Sequence, residues 1–342
     1  MNLSECDRIL VIKPSSLGDI VHTLPAVELL HRAAPHATID WLVNTEWASL
    51  LDGNSFLNQA IPFPRRELKG ISGILRGRKW ASSNLKSAAY DLVLDFQGLL
   101  RSALLAKSTD AKHIIGFKQA REGASLFYTQ KVDIPDWQNL HAVDRNLQLV
   151  KAVGADVTDP TFVFPKGNPT PDLDKDLSGA ILLHPFSRGD GKSLSGAEVL
   201  ELCQKLAPRP VVLVGFPPER LPSEWPASVI DLLGKTSISQ LIYLVRHCAW
   251  TVSVDSGPMH LAAGITDRVL SIHTWSNPSM VGPWQPNAWI WRDGHQVQVK
   301  TLSLDQFPER RDLKSSFENR DRLLEPQDIE AISSFINDQL HS

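Results

Sequence analysis

The sequence predicts an α/β protein of two similar domains, each an open parallel sheet covered by helices. Three observations lead there. Short all-apolar runs alternate with stretches of 3–4 apolar spacing, the signature of strand and helix in turn. A segment at 165–179, PKGNPTPDLDKDLSG, holds three prolines and two glycines with no apolar periodicity. After that break the alternation restarts. The length of 342 residues suits two domains, at about 100–200 residues each.

Each element follows from its own pattern. Residues 9–12, ILVI, are apolar on both faces, as in a buried parallel strand. A loop at 13–19, KPSSLGD, leads to a helix over 20–32, where Ile20, Leu24, Val27 and Leu30 share one face. A strand at 39–43, a helix at 46–51, a strand at 59–62 and a long polar-basic helical stretch at 75–89 come next. Residues 91–95, DLVLD, form a strand running into Gln97-Gly98, with a helix at 102–107 and a strand at 113–116. Beyond the break, strands are expected at 180–183, 210–214, 230–232, 251–254 and 269–273. Helices are expected at 196–206, 238–246, from 258–263, and over 326–340 with Pro326 in the first turn. The domains are thus 1–165 and 180–325, joined by a linker at 166–179 and followed by a helix within 326–342.

Composition narrows the function. Charged residues are 21% and hydrophobic ones 42%, which excludes wholesale disorder. A net charge of −3 speaks against a nucleic-acid partner. Cys6, Cys203 and Cys248 are far apart without a CxxC, so neither a disulfide framework nor a zinc site is expected, and a reducing compartment fits. No apolar run approaches the ~18 residues of a membrane span, and the acidic start MNLSECDRILVIK is not a signal peptide.

Ligands of open α/β sheets sit outside the carboxyl ends of strands, and four polar clusters fall there. After the first strand, Lys13, Ser15, Ser16, Gly18 and Asp19 form a polar turn entering a helix, with His22 one turn on. Asp19 is either a helix cap or a general base held by the scaffold. After 91–95, Asp95-Phe96-Gln97-Gly98 is either a simple Asp turn or a site cluster. After 180–183, His184, Ser187, Arg188, Gly189, Gly191 and Lys192 make a diphosphate cradle or a solvated loop. The stretch 252–263, VSVDSGPMHLAA, is the most specific. Its strand ends in Asp255, and Ser256, Gly257 and Pro258 open a helix carrying His260. Free N–H groups at such a start attract an anion. GxxxxGK[ST], GxGxxG, HExxH and GxSxG are all missing, and no acidic pair stands at a strand end, so neither a metal nor another cofactor is expected. Arg65, Arg66, Lys69, Arg76, Arg78 and Lys79 face one acid, Glu67; this basic stretch is a solvated face or an anion-recognising one.

Together these residues resemble glycosyltransferase family 9, the ADP-heptose–lipopolysaccharide heptosyltransferases, and its heptosyltransferase I branch in particular. The resemblance rests on RILVIKPSSLGDIVHTLPAVELL, DFQGLLRSALLA, AREGASLFY and VSVDSGPMHLAAGI, and spans roughly residues 8–285. It implies a GT-B fold, two Rossmann-like domains facing across a cleft, with the C-terminal helix crossing back towards the first. It implies an inverting, metal-independent transfer of heptose from ADP-heptose to the Kdo of the lipopolysaccharide inner core. On it, Asp19 is the general base. Ser187, Arg188, Lys192, Glu219, Asp255, Ser256, Gly257 and His260 hold the donor. Ser16, Gly18, His22, Arg65, Arg66, Gln97 and Arg121 face the acceptor. The partners implied are a nucleotide sugar and an anionic glycolipid, and the place is the cytoplasm at the periphery of the inner membrane. Two other readings remain: a family member using another nucleotide sugar or acceptor, and a non-catalytic nucleotide-binding protein. The joint presence of Asp19, Lys192 and His260 argues against the latter.

Overall fold

Aliphatic side chains with no polar face bury β1 (Arg8–Ile12) on both sides, and it becomes the centre of a sheet. It pairs in parallel with β2 (Thr38–Asn44) on one side and β4 (Leu92–Asp95) on the other. Beyond β2 lies β3 (Gln59–Phe63); beyond β4 lie β5 (His113–Phe117) and β6 (Gln130–Val132). The order β3-β2-β1-β4-β5-β6 is parallel throughout. The chain travels outward from β1 and then restarts at β4 on the other side. Ligands of open α/β sheets bind outside the carboxyl ends of the strands at such a reversal.

This computed structural model describes residues 3–68, 71–171, 173, 176–189, 191–216, 221–311, 314, 316 and 322–341. The chain divides into two units, Met1–Pro165 and Lys166–Ser342. In the first, α1 (Leu17–Ala33) follows β1, α2 (Ile71–Asn84) follows β3, α3 (Leu100–Lys107) follows β4 and α4 (Ala142–Lys151) closes the unit. Asn146 of α4 donates to the His22 carbonyl (3.0 Å) and to Thr23 Oγ1 (3.1 Å), which ties α4 to α1. Gly116 of β5 is required by close approach: a β-carbon there would lie 2.4 Å from the Tyr128 ring. The ring can therefore cross the strand and donate its hydroxyl to buried Asp95 at 2.8 Å.

The second unit repeats the logic with β7 (Ile181–His184), β8 (Val211–Leu213), β9 (Val229–Asp231), β10 (Trp250–Val254), β11 (Val269–Ile272), β12 (Trp289–Arg292) and β13 (His295–Gln298). Their order is β13-β12-β11-β10-β7-β8-β9, with only β13 antiparallel. The reversal falls between β7 and β10. Helices α5 (Gly196–Leu206), α6 (Ile238–His247), α7 (Gly257–Ile265), α8 (Pro278–Val281) and α9 (Pro326–Gln339) connect and cover the strands. The start of 166–179 is held on α6: Asn168 N–H donates to the Ser239 carbonyl at 3.1 Å.

The C-terminal helix, α9, buries Ile329, Ile332 and Ile336 in the second unit's core with Leu202, Leu206 and Trp250, and Arg209 Nε donates to its Asn337 Oδ1 (2.9 Å). Some expectations are corrected. Residues 46–51 form no α-helix but part of a 3-10 turn over Thr45–Leu50. The helix expected at 75–89 starts earlier and stops at Asn84, before Ala89 turns left-handed at φ 50°. Strands β6, β12 and β13 and helices α4 and α8 are additions. Among the described residues no helix is long and apolar enough to cross a membrane.

Candidate active site

The loop after β1 is fixed by its neighbours. The Trp41 indole donates to the Lys13 carbonyl (3.2 Å), and Asn44 N–H donates to Pro14 (3.0 Å). Lys13 is buried and donates from Nζ to the Phe96 carbonyl at 3.0 Å, joining this loop to the one after β4. Ser16 sits at the N-cap of α1, and Asp19 Oδ2 accepts from its N–H (2.9 Å) and its hydroxyl (2.7 Å). Asp19 Oδ1 lies 3.9 Å from Lys13 Nζ, and the Asp19 side chain keeps 48% exposure. Asp19 is therefore a cap and also an accessible carboxylate.

The other first-unit candidates gather round this loop. Gln97 Oε1 accepts from Ser15 N–H (3.4 Å), and exposed Arg65 donates from Nη1 to Ser15 Oγ (3.2 Å). Arg121 N–H donates to the Gly98 carbonyl at 2.9 Å, so its exposed side chain starts beside the same turn. Arg66 is exposed next to Arg65, while Gly18 is buried in the first turn of α1. His22 is buried a turn deeper, edge-on to His141 with ring centroids 5.3 Å apart. Asp95 organises the second loop. It accepts from the Gln97 and Gly98 N–H groups and from Ser102 and Tyr128 hydroxyls. Burial nevertheless pushes its carboxyl upward.

In the second unit, the loops after β7, β10 and β11 converge. Lys192 Nζ pairs with Asp255 Oδ2 and lies 4.6 Å from the Trp275 ring centroid. Asp255 also accepts from Ser276 Oγ (2.6 Å). Thr274 donates to the Gly191 carbonyl (2.7 Å), pinning the 187–193 loop to the β11 side. Ser187 N–H donates to Ser193 Oγ (2.8 Å) and Ser187 Oγ accepts from Gly189 N–H (3.1 Å), which closes the loop on itself. Arg188 is exposed at its tip. Ser256 is the N-cap of α7, Gly257 its first residue, and buried His260 lies in its first turn. Glu219 falls outside the described residues.

Burial opposes charge on Asp255, but His273, Lys192 and His260 overcome it and hold the carboxyl at about 2. Burial drives His184 and His273 down to about 4, so both imidazoles are neutral at pH 7. Lys192 is then a cation at pH 7 that helps keep Asp255 ionised. A mobile anion can share Lys192, the exposed Arg188 and the α7 N-terminus, whose dipole end is positive. Sequence reasoning placed Lys13 in the first polar turn but missed Ser253, His273, Thr274, Trp275 and Ser276. All but Ser253, which lies within β10, follow strand ends, and that position was the one signal that could have found them. Among the described residues, no three His, Cys, Asp or Glu side chains converge as a metal site.

The two buried histidines predict acid sensitivity. Their folded pKa values lie below the 6.5 of the unfolded chain, so the unfolded state binds more protons between pH 6.5 and 4. Their contribution is present above pH 6.5 and lost as pH falls through 4, at about 3 kcal/mol for each. Urea unfolding at pH 7.5 and 4.5 should show that loss, and His273→Asn should remove about half of it. A stability independent of pH over this range would refute the assignment of neutral buried imidazoles. Asp95 in the first unit has the opposite sign, because its pKa is raised.

Comparison with known proteins gives the family and the fold. The family model for glycosyltransferase family 9 (heptosyltransferase) matches residues 80–307. The chain is 32% identical over 290 residues to lipopolysaccharide heptosyltransferase 1 of Pseudomonas aeruginosa, covering 80% of this chain and 81% of that one. It is 29% identical over 320 residues to lipopolysaccharide heptosyltransferase 1 of Escherichia coli O18:K1:H7, covering 88% and 97%. Its fold is that of Escherichia coli heptosyltransferase WaaC, solved with ADP-2-deoxy-2-fluoro heptose, at a TM-score of 0.71 and 24% identity over 97% of this chain and 99% of that one. Two parallel α/β units of this kind are the GT-B fold. With more than half of its length inside the family match, and a relative above 30% identity across most of both chains, the chain belongs to glycosyltransferase family 9, the heptosyltransferases.

Proposed function

We propose that the protein is an inverting, metal-independent glycosyltransferase that moves heptose from ADP-heptose onto the Kdo of the lipopolysaccharide inner core. The observation that carries this reading is the corner at the α7 N-terminus, where Lys192 stands on the Asp255 carboxylate beside Ser256. A diphosphate leaving group needs positive charge that is already in place, and a cation next to a helix start supplies it. Arg188, Ser187, Gly257 and His260 belong to the same corner, and Asp255 is the acceptor for sugar hydroxyls. The names of the relatives supply the lipopolysaccharide acceptor and the heptose.

In this mechanism the acceptor hydroxyl attacks the anomeric carbon from the face opposite ADP, which inverts its configuration. Asp19 takes the hydroxyl proton as the bond forms. Ser16 holds the Asp19 carboxylate in place, and Gln97 steadies the Ser15 backbone beside it. Arg65, Arg66 and Arg121 receive the anionic acceptor, with Gly18 and His22 shaping the wall. The acceptor is a lipid precursor, so the enzyme works at the cytoplasmic face of the inner membrane.

A donor screen tests the reading. ADP-heptose should support transfer to a Kdo-bearing lipid A precursor, while ADP-glucose, UDP-sugars and GDP-sugars should not, and excess EDTA should leave the rate unchanged. Turnover with UDP- or GDP-sugars alone, or full loss with EDTA reversed by Mg²⁺, would overturn it.

The cations of the first unit give a separate expectation. Arg65→Ala with Arg66→Ala should raise the acceptor KM roughly tenfold and weaken its salt dependence, since bidentate contacts to phosphate or carboxylate are lost. The donor KM should stay put. A change confined to the donor KM would return the pair to the solvated surface.

A further inference from the structure

The strand-end histidine of β7 has no part in the mechanism above. His184 is buried at the floor of the donor corner, with 7% exposure. Its Nδ1 lies 3.3 Å from Ser256 Oγ and 3.4 Å from Ser253 Oγ. On its other side, Gly215 turns left-handed at φ +119°, and a β-carbon there would sit 3.1 Å from Nε2. The ring is therefore gripped between a glycine and two serines.

We propose that His184 is a positioning residue: its Nδ1–H tautomer, donating to Ser256, holds the Ser256 hydroxyl as a hydrogen-bond donor towards the diphosphate of the bound nucleotide sugar. The proposal rests on the donor reading above.

Proton counting leads to it. Ser253 is fully buried and donates its one proton to the Val254 carbonyl at 2.9 Å, its shortest contact. Towards His184 and Ser256 it can then only accept. A neutral imidazole has a single N–H, and burial keeps this one neutral. With that proton on Nδ1, both serine oxygens accept from the ring. Ser256 then has its own proton for an outward acceptor, and within the protein only Ser253 Oγ, at a long 3.4 Å, competes for it, a weak contact that a bound anion replaces. With the proton on Nε2 instead, Ser256 would donate inward to Nδ1 and turn bare lone pairs towards an anion. Ser256 is the N-cap of α7 yet its hydroxyl makes no bond to its own helix, so it is not already committed to capping. It is also only half-buried, which leaves the hydroxyl reachable.

Three replacements and one spectrum test this. Asn keeps an N–H donor near the Nδ1 position, Asp puts an acceptor there, and Leu puts neither. Binding of ADP and of adenosine is measured by calorimetry on each full-length variant. His184→Leu and His184→Asp should weaken ADP about tenfold or more, the scale of one hydrogen bond to a charged group, and leave adenosine within about twofold. His184→Asn should retain ADP affinity within about threefold. Equal loss of ADP and adenosine would mean that the ring only supports the fold. Unchanged ADP binding in the Leu variant would equally overturn the proposal. The ring nitrogen spectrum of ¹⁵N-histidine-labelled wild-type protein reads the tautomer without any nucleotide: Nδ1–H is expected, and Nε2–H would refute it. Failure of the wild-type protein to bind ADP, with the Nδ1–H tautomer present, would instead sink the donor reading.

Discussion

Asp19→Asn should lower turnover by roughly 10²–10⁴ while donor binding stays as in the wild type, because general-base catalysis typically contributes that much. The replacement keeps the shape of the side chain. An amide oxygen can still accept from Ser16 N–H, as Oδ2 does now at 2.9 Å. What disappears is basicity, together with the favourable charge at the start of α1, worth about 0.3–1 kcal/mol. Those two roles separate in the measurement. A cap alone would show as a small drop in melting temperature with turnover little changed. Near wild-type turnover in a correctly folded Asp19→Asn protein would remove Asp19 from the chemistry.

Lys192→Met should have the other large effect, and on two quantities at once. The Lys192 and Asp255 side chains are 16% and 6% exposed, so their pair is largely shielded from water. Removing one partner of such a pair leaves the other charge buried and costs about 3–5 kcal/mol. Loss of the cation should also cut turnover by roughly 10²–10³, as for other preorganised groups facing a developing charge. Adding Asp255→Asn removes the orphaned carboxylate. The double variant should therefore regain most of the stability seen in urea unfolding and none of the activity. Recovery of both would mean that the pair serves only the fold, and recovery of neither would mean that Asp255 stabilises through other partners.

Much of the fold was legible in local pattern. The run ILVI at 9–12 is apolar on both faces, and VSV at 252–254 is a short β-branched run leading to Asp255; both became central strands. Pro258 and Ser256 announced the start of α7 to within a residue. The β12–β13 hairpin was equally announced by Asp293-Gly294, both left-handed at φ 52° and 75°, and the signal was passed over. α4 was harder, since its segment, AVDRNLQLVK, follows a stretch without periodicity. The 46–51 segment reads as helix by composition but is too short to nucleate one, and it closed as a 3-10 turn.

By itself the sequence determined the two-domain α/β class, the break near 165, and the residue types standing after each strand. These are local matters: period, propensity and turn chemistry act over a few residues. It did not determine strand order, because pairing joins segments such as 9–12 and 92–95 that are far apart along the chain. Only the tertiary structure decided that β1 lies beside β4 and β7 beside β10, so that both polar corners fall where a sheet reverses direction. It alone sent α9 into the second unit's core. It alone also put Ser276 and Trp275 on the Asp255–Lys192 pair and His184 against Ser256. Such contacts depend on where side chains from different strands meet, and that is set by packing of the whole sheet.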